Sequence, residues 1–199
     1  MVRRPAVFLD RDGVIVRDVD RLVRADQIEI LPGATSAIRR FTEAKLPVVI
    51  ISNQPVVARG LLTETELRSL HDEIDRRLRS DGAKIDGFYY CPHHPRASLP
   101  AYRLACVCRK PRPGLLLSAA DDLGLDVVAS VMVGDRPTDV AAGRRAGCRT
   151  TILVETGKHA APAIESPDGP PSPEESRPDH VAPDLAAAAE LILATMERR

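Results

Sequence analysis

The chain has 199 residues, 44% hydrophobic and 28% charged, enough for one domain with a real core and a tail or insertion. Lys and Arg number 28, Asp and Glu 28, and the formal net charge is +0; with 3% aromatic content this argues against a basic, ring-lined groove for nucleic acid. No apolar run approaches the roughly 20 residues that span a bilayer. Met1 to Pro5 lead into the first strand without a secretory apolar segment, so no membrane association and a cytoplasmic location are expected.

Val7-Phe8-Leu9 is a short apolar run that reads as a buried strand from Ala6 to Asp10. Asp10 and Asp12 follow close enough to share one cation, and Gly13 lets the backbone turn away. Pro32-Gly33 precede a helical pattern carrying Ala37, Ile38 and Phe41. Pro47 opens a second strand, Val48-Val49-Ile50-Ile51, ending at Ser52-Asn53. Thr63 and Glu66 form a capping box for a helix whose apolar stripe is Leu67, Leu70, Ile74 and Leu78. Gly87 to Tyr90 reads as a third strand, and residues 91–112 as irregular.

Pro113 suits the first turn of a helix through Leu115, Leu116, Ala119 and Leu123, with Gly124 as its stop. Ser130 to Val133 is a fourth strand ending at Gly134-Asp135, Pro137 opens an alanine-rich helix closed by Gly147, and Arg149 to Val154 is a fifth strand. Residues 158–178, rich in proline and poor in apolar side chains, read as a mobile surface insertion. Asp179-His180-Val181 suggests a brief edge strand, and Asp184 caps a last helix over about 184–197.

Strands alternating with helices predict an α/β fold with a doubly wound parallel sheet, one domain over 1–199. Asp10, Ser52 and Asp135 then emerge at one edge of that sheet, where such folds meet their ligands.

Asp10-Arg11-Asp12-Gly13, Ser52, Lys110 just before a helix, and Gly134-Asp135 with Asp139 four residues on follow one another in this order. The pattern resembles the haloacid dehalogenase superfamily of phosphatases, over about residues 5–157 plus the final strand and helix. The resemblance implies a Rossmann-like domain and a Mg²⁺-dependent phosphatase. Asp10 is expected as the nucleophile that forms an aspartyl phosphate, and Asp12 as the acid that protonates the leaving alkoxide and then activates water. Ser52 and Lys110 are expected to hold the transferring phosphoryl oxygens. Asp10, Asp12 and Asp135 are expected to hold Mg²⁺, with Asp139 bracing the site or capping the helix at Pro137.

Cys91-Pro92-His93 and Cys106-Val107-Cys108 make two C-x-[HC] pairs. Four such ligands suit tetrahedral Zn²⁺ and leave no open position, so a structural zinc in a loop over 91–108 is expected; the alternative is three buried or free thiols. His94 is spare, and Cys148 reads as a small core residue. This loop is similar to that of the D-glycero-D-manno-heptose 1,7-bisphosphate 7-phosphatases and of their sister group, the histidinol-phosphate phosphatases. The likeness implies no large cap domain, a small sugar bisphosphate as substrate, and substrate contacts from Asn53, Gln54, Arg59 and Arg109. The implied product, a heptose 1-phosphate, feeds nucleotide-activated heptose for surface polysaccharide, and a monomer is expected. Two departures fall on the substrate side: Asp18-Val19-Asp20-Arg21-Leu22 where the group commonly has Gly-Tyr, and Pro55-Val56 where it commonly has Ser-Gly. Arg21 is read as replacing a lost contact with positive charge. Histidinol phosphate or another small phosphomonoester stays open as substrate, as does a zinc-stabilised binding module without catalysis.

Overall fold

A computed structural model describes residues 3–158 and 169–196. Ten residues of the expected insertion, 159–168, and the end of the expected last helix lie outside the described residues. Strands β1 (Val7–Leu9), β2 (Val48–Asn53), β3 (Gly87–Cys91), β4 (Val131–Gly134), β5 (Thr150–Val154) and β6 (His180–Ala182) form one sheet. The helices are α1 (Ala34–Glu43), α2 (Pro55–Ala58), α3 (Glu64–Arg79), α4 (Gly114–Leu123), α5 (Pro137–Ala146) and α6 (Leu185–Met196).

All strand pairs are parallel, in the order β3-β2-β1-β4-β5-β6. Such a sheet is covered on both faces, which is why its strands read as unbroken Val, Ile and Leu rather than alternating. Side chains still alternate between two cores. Val7, Leu9, Val48, Ile50 and Val133 pack with α1, α3 and α6, whereas Phe8, Val49, Ile51 and Met132 pack with α4 and α5. Burying a side chain such as Phe8 or Ile50 completely contributes about 1.5–3 kcal/mol.

The chain order reverses between β1 and β4, and that is the point that positions the site. Leu9 pairs with both Ile50 and Val133, and the Asp10 amide donates to the Val133 carbonyl at 2.9 Å. Residues leaving β1, β2 and β4 therefore do so side by side.

Local chemistry matches the expected boundaries closely. Thr63 Oγ1 accepts from the Glu66 amide at 3.2 Å, and Glu66 Oε2 accepts from the Thr63 amide at 2.7 Å. Gly124 ends α4 at φ 65, and Asp184 Oδ1 accepts from the Ala187 amide at 2.8 Å. Two features differ. Pro113 stands just outside α4 as its N-cap, its carbonyl accepting the first helical bond from the Leu117 amide at 3.1 Å. The short α2 goes unforeseen: four residues are too few to show a period, although Pro55 at its first position favours it.

Composition suggests mobility over 158–178, yet the described part, 169–177, is tied to α5. Arg145 donates to Glu175 at 2.8 Å and Arg144 to the Arg177 carbonyl at 2.8 Å. Among the described residues no helix is long and apolar enough to cross a membrane.

Candidate active site

Asp10 follows β1, Ser52 lies near the end of β2, Asp135 follows β4, and Asp139 sits in the first turn of α5; all four are buried. Lys110 comes from the loop before α4. Its ammonium, almost fully buried, lies 3.0 Å from Asp10 Oδ1 and 2.6 Å from Asp139 Oδ1, and donates to the Ile51 carbonyl at 2.7 Å. Burial works against this charge, but the Asp10 and Asp139 carboxylates outweigh it and raise the Lys110 pKa.

Two close approaches require glycine. A Cβ on Gly13, which sits at φ 78, would lie 2.5 Å from Asp135 Oδ2, and one on Gly134 would lie 2.1 Å from Asp139 Cβ.

Ligand oxygens of Asp10, Asp135 and Asp139 all lie within 4.8 Å of one another. Burial, opposed by Lys110 and reinforced by Asp139 and Asp12, raises the Asp10 pKa to about 6. Burial, with Asp139 and Asp10 close by, raises that of Asp135 to about 8. Asp135 Oδ2 accepts from the Lys158 amide at 2.7 Å, whereas Oδ1 is buried without a hydrogen-bond partner among the described residues. Crowded acids with an orphaned oxygen fit a hard divalent cation such as Mg²⁺.

Asp12, expected among the Mg²⁺ ligands, is not part of that group. Its carboxylate turns to Arg11, with bonds of 2.9–3.1 Å, and to Gln54 Nε2 at 3.0 Å. Asp139 takes the expected third place in the cluster and also caps α5, its Oδ2 accepting from the Arg136 amide at 3.0 Å.

Asn53 and Gln54, expected as sugar contacts, have committed amides. Asn53 exchanges two bonds with the Lys110 main chain, at 3.0 and 3.1 Å, and so fixes the loop that carries the lysine. Gln54 donates to Ser52 Oγ at 2.7 Å and to Asp12, and accepts from Arg11 at 2.9 Å. Both therefore serve as struts between site residues.

The cleft above the cluster holds about 380 Å³ and is lined by Arg59, Arg109, Arg136 and Lys158 as well as the acids. Asp18 and Asp20 line it; Arg21 is exposed and lies outside the lining, contrary to its expected role. Asp18 instead pairs with Arg136 at 3.1 Å and Lys158 at 3.1 Å.

Cys91, His93, Cys106 and Cys108 converge beside this cleft. Sγ of Cys91 lies 3.4 Å from that of Cys106 and 3.2 Å from that of Cys108, and His93 Nδ1 is 3.4 Å from Cys108 Sγ. Those separations are near the edges of a tetrahedron with ligand bonds of about 2.0–2.3 Å, so the set fits Zn²⁺. His94 is buried and not part of this set, its Nδ1 accepting from the Arg96 amide at 3.0 Å. Arg109 donates to the His93 carbonyl at 3.2 Å, which links the loop to the cleft wall.

Sequence patterns did not single out Arg11 or His71. Arg11 hides inside the D-x-D pair, and His71 falls on the buried stripe of α3, four residues after Leu67, which was the available signal.

A doubly wound parallel sheet with acids and a buried lysine gathered at its switch point is the arrangement of a phosphatase. A family model described as haloacid dehalogenase-like hydrolase matches residues 6–147. The chain belongs to this family. It is 42% identical over 162 residues to D-glycero-beta-D-manno-heptose-1,7-bisphosphate 7-phosphatase of Escherichia coli K12, covering 81% of this chain and 85% of that one. The Vibrio cholerae protein of the same name is 41% identical over 155 residues, with 78% and 83% covered. Among solved structures, the D,D-heptose 1,7-bisphosphate phosphatase of B. bronchiseptica, complexed with magnesium and phosphate, aligns with TM-score 0.78 and 34% identity. It covers 96% of this chain and 99% of that chain.

Proposed function

We propose that this chain is a Mg²⁺-dependent phosphatase that removes the 7-phosphate of D-glycero-β-D-manno-heptose 1,7-bisphosphate. One observation carries the reading. A single cleft has a carboxylate and lysine cluster at its base and two arginines, Arg59 and Arg109, in its wall, room for two anionic ends of one small substrate. The relatives named above support the choice of sugar.

Asp10 is the nucleophile, its carboxylate attacking phosphorus to form an aspartyl phosphate. Asp12 gives its proton to the departing 7-oxygen and then takes one from the water that hydrolyses the intermediate. Ser52 Oγ and Lys110 Nζ hold the phosphoryl oxygens while charge shifts between them. Arg59 and Arg109 receive the 1-phosphate, which suits their planar forks. Asp10, Asp135 and Asp139 would hold Mg²⁺, which would supply the positive charge that lets an anionic nucleophile meet an anionic ester. Cys91, His93, Cys106 and Cys108 would hold Zn²⁺, which would fix the loop that carries Arg109 and Lys110. The reading extends to a cytoplasmic monomer whose cysteines, three of them zinc-ligating and none disulfide-bonded, suit a reducing compartment, and whose product feeds nucleotide-activated heptose for surface polysaccharide.

Phosphate release from the β and α anomers of the heptose bisphosphate, beside histidinol phosphate, tests this. The β anomer should give the highest kcat/KM, with the 1-phosphate left intact. Faster turnover of histidinol phosphate would overturn the substrate assignment.

A further inference from the structure

From Asp12 a buried line of hydrogen bonds, which the proposed steps do not themselves use, runs through Arg11 and Gln54 in the cleft wall back to α3. Arg11, 1% exposed, donates to both Asp12 oxygens and to Gln54 Oε1. Its Nη1 lies 3.2 Å from Nε2 of His71, on α3. A guanidinium offers only donors, so His71 Nε2 is the acceptor and its ring is neutral, with the proton on Nδ1. Burial first, and the Arg11 charge second, lower the His71 pKa to about 3, which keeps the ring in that form at ordinary pH. The ring is 3% exposed, stacked on Phe88 at 4.9 Å and edge-on to Tyr90 at 5.5 Å.

We propose that His71 is a positioning residue for the phosphatase reaction: by accepting from Arg11 it sets the aim of the Asp12 carboxylate. The inference rests on the reading of Asp12 as the acid and base. Arg11 and Asp12 are neighbours in the chain, so their bidentate pair fixes neither one relative to the sheet. Two outside groups do that. Gln54 holds Asp12 from the end of β2, and His71 holds Arg11 from α3, across the packed core. Acid–base catalysis depends on angstrom-level aim, so loss of one anchor shows in the rate before it shows in binding.

The test is a cycle of variants assayed with the same sugar bisphosphate. His71→Phe keeps a ring for Phe88 and removes the acceptor; His71→Gln returns one through Oε1. His71→Met serves in place of His71→Phe if that variant fails to fold, since it fills the space and accepts only weakly. Loss of the acceptor should lower kcat about tenfold with KM within about twofold, and His71→Gln should recover most of it. In an Asp12→Asn background the same change should have no further effect, because residues acting through one group do not lose rate independently. Unchanged kcat in His71→Phe or His71→Met, or a loss that recurs in full beside Asp12→Asn, would overturn the proposal. Wild-type turnover by Asp12→Asn alone would instead sink the acid–base reading, and this inference with it.

Discussion

Asp10 is held between a buried ammonium and two other buried acids, and each neighbour constrains what the residue can do. Lys110 lies 3.0 Å from Asp10 Oδ1 and bridges it to Asp139, and oxygens of Asp135 and Asp139 lie within 4.8 Å of an Asp10 oxygen. Asp10→Asn removes the proposed nucleophile and one of the crowded charges together. Turnover should vanish while the melting temperature holds or rises; appreciable residual activity would remove Asp10 from its role. Asp12→Asn should reduce kcat by about 10²–10⁴, the usual range for a general acid and base, measured under saturating substrate. These acids and Lys110 are legible in the sequence because each stands at a strand end or before a helix. The groups that hold Asp12 and Arg11 are not, since Gln54 reaches Asp12 and His71 reaches Arg11 from elements remote along the chain. Asp12 reads in the sequence as a metal ligand, whereas its carboxylate is bonded to Arg11 and Gln54.

Two elements carry consequences of their own. The loop of residues 91–108 ends β3, gathers three thiols and an imidazole, and delivers Arg109 and Lys110 to the cleft. Metal analysis should therefore find one zinc per chain that survives mild EDTA, with activity restored by Mg²⁺. Cys106→Ser should lose the zinc and lower the melting temperature; wild-type stability without zinc would contradict a structural role. At the other edge, β6 is fastened by Asp179, whose Oδ2 accepts from the Thr151 amide at 2.7 Å and hydroxyl at 2.8 Å, while Oδ1 accepts from Arg144 at 2.8 Å. Burial opposes the charge, but the Thr151 bonds and Arg144 outweigh it, and the pKa is lowered. A depressed acid stabilises the fold above its unfolded value of about 4 and loses that contribution as pH falls through the folded value. Asp179→Ala should thus cost about 1–3 kcal/mol at neutral pH, with the gap to the parent narrowing in melts carried toward pH 3. Asp179 itself is visible in the sequence only as the start of an apolar run; its bond to Thr151 depends on the parallel pairing of β5 and β6.

For the whole molecule, the parallel sheet and its two helical layers follow from alternation, apolar runs and capping residues. The order of strands does not, because several orders satisfy the same alternation; it is the adjacency of β1 and β4 that brings Asp10 beside Asp135. That adjacency has a measurable cost in the absence of metal. The pKa values of Asp10 and Asp135 stand raised, so between about pH 4 and pH 8 the folded chain binds more protons than the unfolded one. Stability of the metal-free protein should fall as pH rises across that window, and Mg²⁺ should raise the melting temperature more at pH 8 than at pH 5. Equal shifts at both would contradict a cation site built from these acids.

The most direct test traps the covalent intermediate. The Mg²⁺-loaded enzyme, mixed with excess sugar bisphosphate and quenched in acid within one turnover, is digested and the peptides weighed. One phosphoryl group should reside on Asp10, labile to hydroxylamine and missing from Asp10→Asn. A phosphoryl group on another residue would contradict the account.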